Sequence, residues 1–258
     1  MAKEGLLHEI DHSKLSNLKN MLQGVMNQPY DKGNRYSIPY LWGATIIGYN
    51  AKVIKREITS WDDLWLPEFK GKVMLPNDVR EVFQMALITL GANPNSTNRA
   101  DLERAFVKLQ KLLPSVRVFN SDSQKQPFIN NEVTIGLIWT GELDNAIKIN
   151  RDIRAVFPKD GAILWVDCVS IPKGAENIEN AYKFIDFLMR PEVAKVVAEE
   201  FSYSTPNKAA LELMSPEVRG NRLMNPTEVD LRAASYQDDI GEAVIMYEEY
   251  WERLKTGK

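Results

Sequence analysis

Cysteine is almost missing from this chain. One residue, Cys168, occurs in 258, which excludes an internal disulfide and any cysteine-based zinc site. Histidine is nearly as scarce: His8 and His12 could share a helical face, but no third ligand lies near them in sequence, so no metal centre is expected. There is no excess of positive charge, with 32 Lys plus Arg against 35 Asp plus Glu and a net charge of -3, and no dense basic patch that would predict a nucleic-acid partner. No apolar run approaches the length needed to cross a bilayer, so no direct membrane insertion is expected. The opening MAKEGLLHEIDHSKL lacks a positive region followed by an apolar stretch of about 7–15 residues, so no export signal is read in it. Catalytic signatures are missing too: no Gly-x-Ser-x-Gly elbow, no glycine-rich phosphate loop followed by lysine, and no histidine placed by a motif as a general base. The expectation is a protein that is not an enzyme and carries no cofactor.

What is present is an alternation of strand and helix patterns, on a composition 44% hydrophobic and 26% charged. The spacing predicts a strand over 36–50, interrupted by Pro39 and Gly43, and a short helix after the Ser60 cap that stops before Pro67. A strand at 70–76 leads into a helix at 77–91, whose Val82, Phe83, Ala86, Leu87 and Leu90 fall at core spacing. Further helices are read at 99–113, 141–149, 176–189, 191–201 and 238–255, with strands at 133–139 and 161–172. The first 35 residues offer no convincing strand, so the α/β architecture looks unfinished at that end.

The stretch GAILWVDCVSIP, 161–172, poses the chemical question. Asp167 interrupts an apolar run, and an ionised carboxylate taken out of water costs several kcal/mol unless compensated. Alternation along a strand puts Trp165 on the same face. An internal Lys or Arg partner for Asp167 is the plain alternative to a ligand. Two other places set an acid or an aromatic where a strand gives way to a helix, the position where open α/β sheets bind ligands. One is Asp78 with Glu81, which by itself reads first as a capping box; the other is Trp139, and a Trp there is more often a core residue than a ligand wall. A hydrolase built on two carboxylates among Asp78, Glu81, Glu142 and Asp167 is a further alternative.

The segments YSIPYLWGATIIGYN, TSWDDLWLPEFKGKVML, NDVREVFQMAL, IGLIWTGE, LWVDCVSIP, FLMRPEVAKVVAEEFSYSTPNKAA, LMSPEVRGN and YEEYWERLKTGK together resemble the spermidine/putrescine-binding proteins of bacterial ABC importers, in order over essentially the whole chain. The resemblance implies a bilobal periplasmic-binding-protein fold of type II, with residues 1–42 and 167–191 in the N-terminal lobe and 43–166 and 192–258 in the C-terminal lobe. It implies capture of spermidine, with putrescine second, in the cleft between lobes, and delivery to the importer's permease and ATPase from a periplasmic location. Carried over position by position, the family's cleft acids fall on Asp78, Glu81 and Asp167, its aromatic walls on Trp139, Trp165 and Tyr203, and a late glutamine on Gln237. Members of the family carry a further N-terminal segment ahead of the point matching Met1, so the expectation is a truncated, incomplete first lobe. A fragment that binds polyamine weakly or not at all is then an alternative to capture. Binding of another small amine or of an amino acid is the remaining alternative.

The chemistry of a polyamine suits those residue types. Charges separated by methylenes call for carboxylates at intervals with apolar walls between them, and an aromatic face both covers methylenes and attracts ammonium, at about 0.5–2 kcal/mol per contact. A substrate of the wrong length leaves a buried acid unpaired, and that penalty is a source of specificity.

Overall fold

A computed structural model describes residues 1–256, so the last two positions of the expected C-terminal-lobe range 192–258 lie outside the described residues. In chain order the elements are β1 (Ile38–Asn50), β2 (Val73–Leu75), α1 (Val79–Thr89), α2 (Arg99–Leu112), β3 (Val116–Phe119), α3 (Lys125–Ile129), β4 (Ile135–Trp139), α4 (Thr140–Ile149) and β5 (Ile153–Val156). There follow β6 (Ile163–Val169), α5 (Ile178–Leu188), α6 (Pro191–Phe201), α7 (Lys208–Leu213), α8 (Pro216–Arg219), α9 (Glu228–Leu231), β7 (Ser235–Tyr236) and α10 (Val244–Thr256). The chain forms two compact units, one of Met1–Gly43 with Trp165–Pro226 and one of Ala44–Leu164 with Thr227–Lys258.

In the larger unit β2 pairs in parallel with β3 on one side and β4 on the other. Strand β1 runs antiparallel to β4, with Thr45 opposite Trp139, and β5 pairs antiparallel with β1. The helices α1, α2 and α10 cover this sheet. Val82, Phe83, Ala86 and Leu87 of α1 pack with Leu102, Phe106 and Leu109 of α2 and with Tyr247, Tyr250 and Leu254 of α10 in one buried cluster. Because β2, β3 and β4 are mutually parallel, the segments that leave their C-terminal ends emerge along one edge. Those segments carry Asp78, residues 120–124 and Trp139.

The smaller unit holds the start of β1, the end of β6 and the helices α5 to α8. As read from the sequence, residues 1–35 contain no strand: short 3-10 turns at His12–Lys14, Leu18–Asn20 and Lys32–Asn34 alternate with isolated bridges such as Leu7 to Pro172. Ile10, Leu15 and Met21 bury against Tyr182 and Ile185 of α5 and against Met189, which caps it, and the Tyr182 hydroxyl donates to the carbonyl of Glu9 and accepts from the amide of Asp11.

Several expectations are corrected. Strand β1 is not interrupted; it continues through Pro39 and Gly43, with Pro39 only the second residue in, where its missing N–H is tolerated. The terminal helix does not begin at 238: Gly241 sits at φ +54, the preceding segment is bonded elsewhere, and after a short 3-10 turn α10 starts at Val244. The division into units differs from the expected lobes at the third crossing, because residues 192–226 cluster with the smaller unit rather than with 43–166. Backbone pairing explains this. Trp42 and Ser204 exchange hydrogen bonds, Met21 bridges Asn207, and the Asn207 side chain donates to the carbonyl of Met189 at 2.7 Å.

Strands β2 and β4 approach so closely at Met74 and Gly136 that a Cβ on Gly136 would lie 2.3 Å from the Met74 carbonyl oxygen. Gly136→Ala therefore forces the strands apart and is expected to lower stability by about 1–3 kcal/mol. Urea unfolding measures this, and an unchanged midpoint would contradict the close approach.

Candidate functional site

The edge at the C-terminal ends of β2, β3 and β4 is where candidate side chains of the larger unit converge. Helix α1 opens at Asp78, whose Oδ1 accepts the Glu81 amide at 2.9 Å. The capping role read for Asp78 is therefore present, and it uses one carboxylate oxygen. Glu81 does not complete a capping box. Its carboxyl turns instead toward the sheet, where Oε1 accepts the indole N–H of Trp139 at 2.8 Å and Oε2 accepts the hydroxyl of Thr45 at 3.0 Å. The sheet register accounts for the convergence, since Thr45 and Trp139 are direct cross-strand partners.

Glu81 is 5% exposed, and among the described residues no Lys or Arg pairs with it. Burial pushes its carboxyl up to about 8, the neighbouring charge of Asp78 adds to the rise, and the two donated hydrogen bonds only partly offset it. That shift favours the neutral form of this acid near pH 7, beside an indole.

Trp139 is fixed by its backbone as well as its ring. Its amide donates to Oε1 of the fully buried Gln124 at 2.8 Å. The same edge gathers buried polar atoms with no protein partner: Oγ of Ser121, Nε2 of Gln124 and Nε2 of Gln237. Gln237 follows the short strand β7 and its amide donates to the carbonyl of Leu164 at 3.0 Å. Thr45, Ser121 and Gln124 were not singled out in the sequence. Thr45 sits in an apolar strand run and the other two in a polar loop, and only the sheet order marks them.

Glu142 does not join the other acids. It accepts the amide and the ammonium of Lys125 at 3.1 and 3.3 Å, tying the start of α4 to α3. A concavity of about 660 Å³ elsewhere on this unit, lined by Trp65, Leu90, Val107 and Lys108 among others, contains none of the candidate residues.

In the smaller unit Trp165 and Tyr203 meet edge to face, with ring centres 5.1 Å apart at 78°. Tyr203 is presented by the left-handed turn at Ser202, φ +59, that closes α6, and by the Ser204 pairing with Trp42. Asp167, two residues beyond Trp165, is exposed rather than buried, a correction to the sequence reading of this strand. Its expected alternative, an internal ion pair, is also not found among the described residues, and the surrounding protein still raises its carboxyl above the usual range by desolvation. Exposure of the residue and partial desolvation of its carboxyl are compatible, because a side chain standing on a protein wall loses water on one side only. Tyr40 is near enough that the Asp167 charge, after burial, contributes to raising its phenol.

Among the described residues no helix is long and apolar enough to cross a membrane, and no group of three or more His, Cys, Asp or Glu is arranged to hold a metal ion.

Comparison with known proteins bears on the whole chain. Residues 1–226 match the family model described as bacterial extracellular solute-binding protein. The spermidine/putrescine-binding periplasmic protein of Escherichia coli is 46% identical over all of this chain and 74% of its own length. Among solved structures, a Listeria monocytogenes protein assigned to a spermidine/putrescine ABC transporter superposes with a TM-score of 0.95 at 35% identity, covering 100% of this chain and 80% of that one. The substrate-binding protein PotD of the spermidine/putrescine ABC transporter from Streptococcus pneumoniae gives 0.87 at 34% identity, covering 99% and 80%. These relatives are solute-binding components of transport systems.

The buried Glu81 makes stability depend on pH in a defined direction. Its folded value, about 8, lies above the unfolded value of 4.5, so the folded state holds the extra proton between the two. The contribution is fully present below about pH 4.5 and is lost as pH rises toward 8, at up to about 1.4 kcal/mol per pH unit. Urea unfolding of ligand-free protein at pH 5 and pH 8 is expected to show a smaller loss of stability across that interval in Glu81→Gln than in the wild type. Equal losses would contradict the assignment of a neutral, buried carboxyl.

Proposed function

The chain belongs to the bacterial extracellular solute-binding proteins, and we propose that within that family it captures spermidine, and putrescine second, as the receptor component of a polyamine importer. The observation that carries this reading is the pair made by Glu81 and Trp139: a buried acid with no internal cation, hydrogen-bonded to an aromatic ring at the edge of a sheet. An ammonium arriving there supplies the missing positive charge and makes the charge-assisted bonds that are strongest away from water. The indole then covers the adjoining methylenes and attracts the cation by its ring quadrupole.

The ligand-binding residues in this proposal are Asp78, Glu81, Trp139 and Gln237 of the larger unit and Trp165, Asp167 and Tyr203 of the smaller. Each unit by itself offers a carboxylate next to an aromatic surface, which is what a string of ammonium groups separated by methylenes requires. Asp167, exposed and without an ion-pair partner among the described residues, is suited to receive a charge from outside the chain. The two acids differ in kind. Glu81 must lose a proton to pair with an ammonium at neutral pH, whereas Asp167 stands at a wall where water still reaches it.

The role proposed is binding and delivery without chemical change. Glu142 is taken up by Lys125, which removes one of the acids a two-carboxylate hydrolase could have used. A permease and its ATPase are the partners this role entails, and the periplasm is the compartment in which the similar Escherichia coli protein is named as acting.

Isothermal calorimetry of the folded protein with spermidine and with putrescine at low salt tests the proposal. Saturable binding at one site per chain is expected, tighter for spermidine, and weakened about 10- to 100-fold by Glu81→Gln or Asp167→Asn, the loss typical of a hydrogen bond to a charged group. Absence of heat with both amines, or binding indifferent to both substitutions, overturns it.

A further inference from the structure

We propose that Asn95 is a positioning residue that holds Gln237 in place for the ligand. The inference rests on the reading of Gln237 as a ligand-binding residue given above, and it assigns a role to a loop that has no sequence motif.

Asn95 lies between α1 and α2, in the stretch ANPNSTN. Its Nδ2 donates to the carbonyl of Tyr236 at 2.9 Å, and its Oδ1 accepts the amide of Asp238 at 3.0 Å. One side-chain amide thus grips the backbone on both sides of Gln237 and uses its donor and its acceptor to do so. The amide of Gln237 itself donates to Leu164. Every neighbouring backbone group named here is therefore held, while the side-chain Nε2 of Gln237 is buried with no protein partner.

Asn95 is in turn locked by Arg80. The Arg80 Nη2 donates to Asn95 Oδ1 at 2.9 Å and to the carbonyl of Asp238 at 3.1 Å, and the guanidinium lies over the Tyr247 ring at 5.4 Å. Arg80 sits in the first turn of α1, between Asp78 and Glu81. The same helical turn that presents the two acids therefore anchors, through Arg80 and Asn95, the segment that presents the glutamine. Two rigid connections from one turn fix the spacing between an acid and an amide, and a fixed spacing is what allows a site to distinguish amines of different length.

A double-mutant cycle tests the proposal in the full chain, with spermidine affinity by calorimetry as the readout. Gln237→Ala and Asn95→Ala are each expected to weaken binding about tenfold, the scale of one lost hydrogen bond, and the double variant to be no weaker than either. A role in stability alone does not produce that coupling. Asn95→Asp, which keeps the acceptor for Arg80 and Asp238 and loses the donor to Tyr236, is expected to fall between wild type and Asn95→Ala, and serves where the alanine variant does not fold.

Additive losses, near 100-fold in the double variant, overturn the proposal, as does an Asn95→Ala or Asn95→Asp protein that binds like the wild type. A Gln237→Ala protein with unchanged affinity also overturns it, while wild-type binding that still fails in Glu81→Gln leaves the polyamine reading standing. Wild-type protein that is folded and binds neither amine removes both.

Discussion

A carboxylic acid buried without a cation is the constraint from which the larger unit is best understood. Ionised, Glu81 would face the penalty of a charge away from water next to the like charge of Asp78; neutral, it escapes that penalty, while Trp139 and Thr45 occupy its acceptor oxygens and offset only part of the shift. Meeting that condition requires three elements to be in register. Helix α1 must begin at Asp78 so that Glu81 falls one turn in, β1 must pair with β4 so that Thr45 stands opposite Trp139, and β2 must lie against β4 so that both reach the same edge. The glycine at 136, where the two strands touch, makes the last of these possible.

The same edge shows how polar loops are stabilised around such a group. Gln124 carries the Trp139 backbone, Asn95 carries the backbone around Gln237, and Arg80 ties Asn95 to the helix that bears the acids. Gln124 and Asn95 bond main-chain groups and Arg80 bonds both Asn95 and the Asp238 carbonyl, which holds the segments in place and leaves selected atoms unpaired at the edge. In the smaller unit an aromatic pair, Trp165 with Tyr203, is stabilised instead by a left-handed helix end and by the Trp42 to Ser204 bridge, and it leaves the nearby Asp167 exposed.

Much of this was legible in the sequence, for identifiable reasons. Helices α1 and α2 announce themselves through apolar residues at core spacing, and the positions of Asp78, Glu81 and Trp139 at strand-to-helix junctions mark them before any fold is known. Resemblance to the polyamine-binding family added Tyr203 and Gln237, which no local pattern marks. Thr45 was hidden because a threonine in ATIIG looks like one more β-branched strand residue, and its role comes from the cross-strand register. Asn95 and Gln124 lie in loops whose composition predicts only a turn. Pro191 signals the start of α6, but nothing local tells which unit that helix joins; the long-range bridges from Trp42 and Met21 decide it. The strand alternation that pairs Trp165 with Asp167 does not reveal exposure, which depends on what packs beyond the strand.

If Glu81 holds a proton that an arriving ammonium displaces, binding releases that proton into solution, where it can be counted. Calorimetry of spermidine binding at pH 7, repeated in buffers of different ionisation enthalpy, gives the number released. About one proton per chain is predicted for the wild type, since a group titrating near 8 is mostly protonated at pH 7, and close to none for any residual binding by Glu81→Gln. Binding heat that does not vary with the buffer in the wild type would contradict the account.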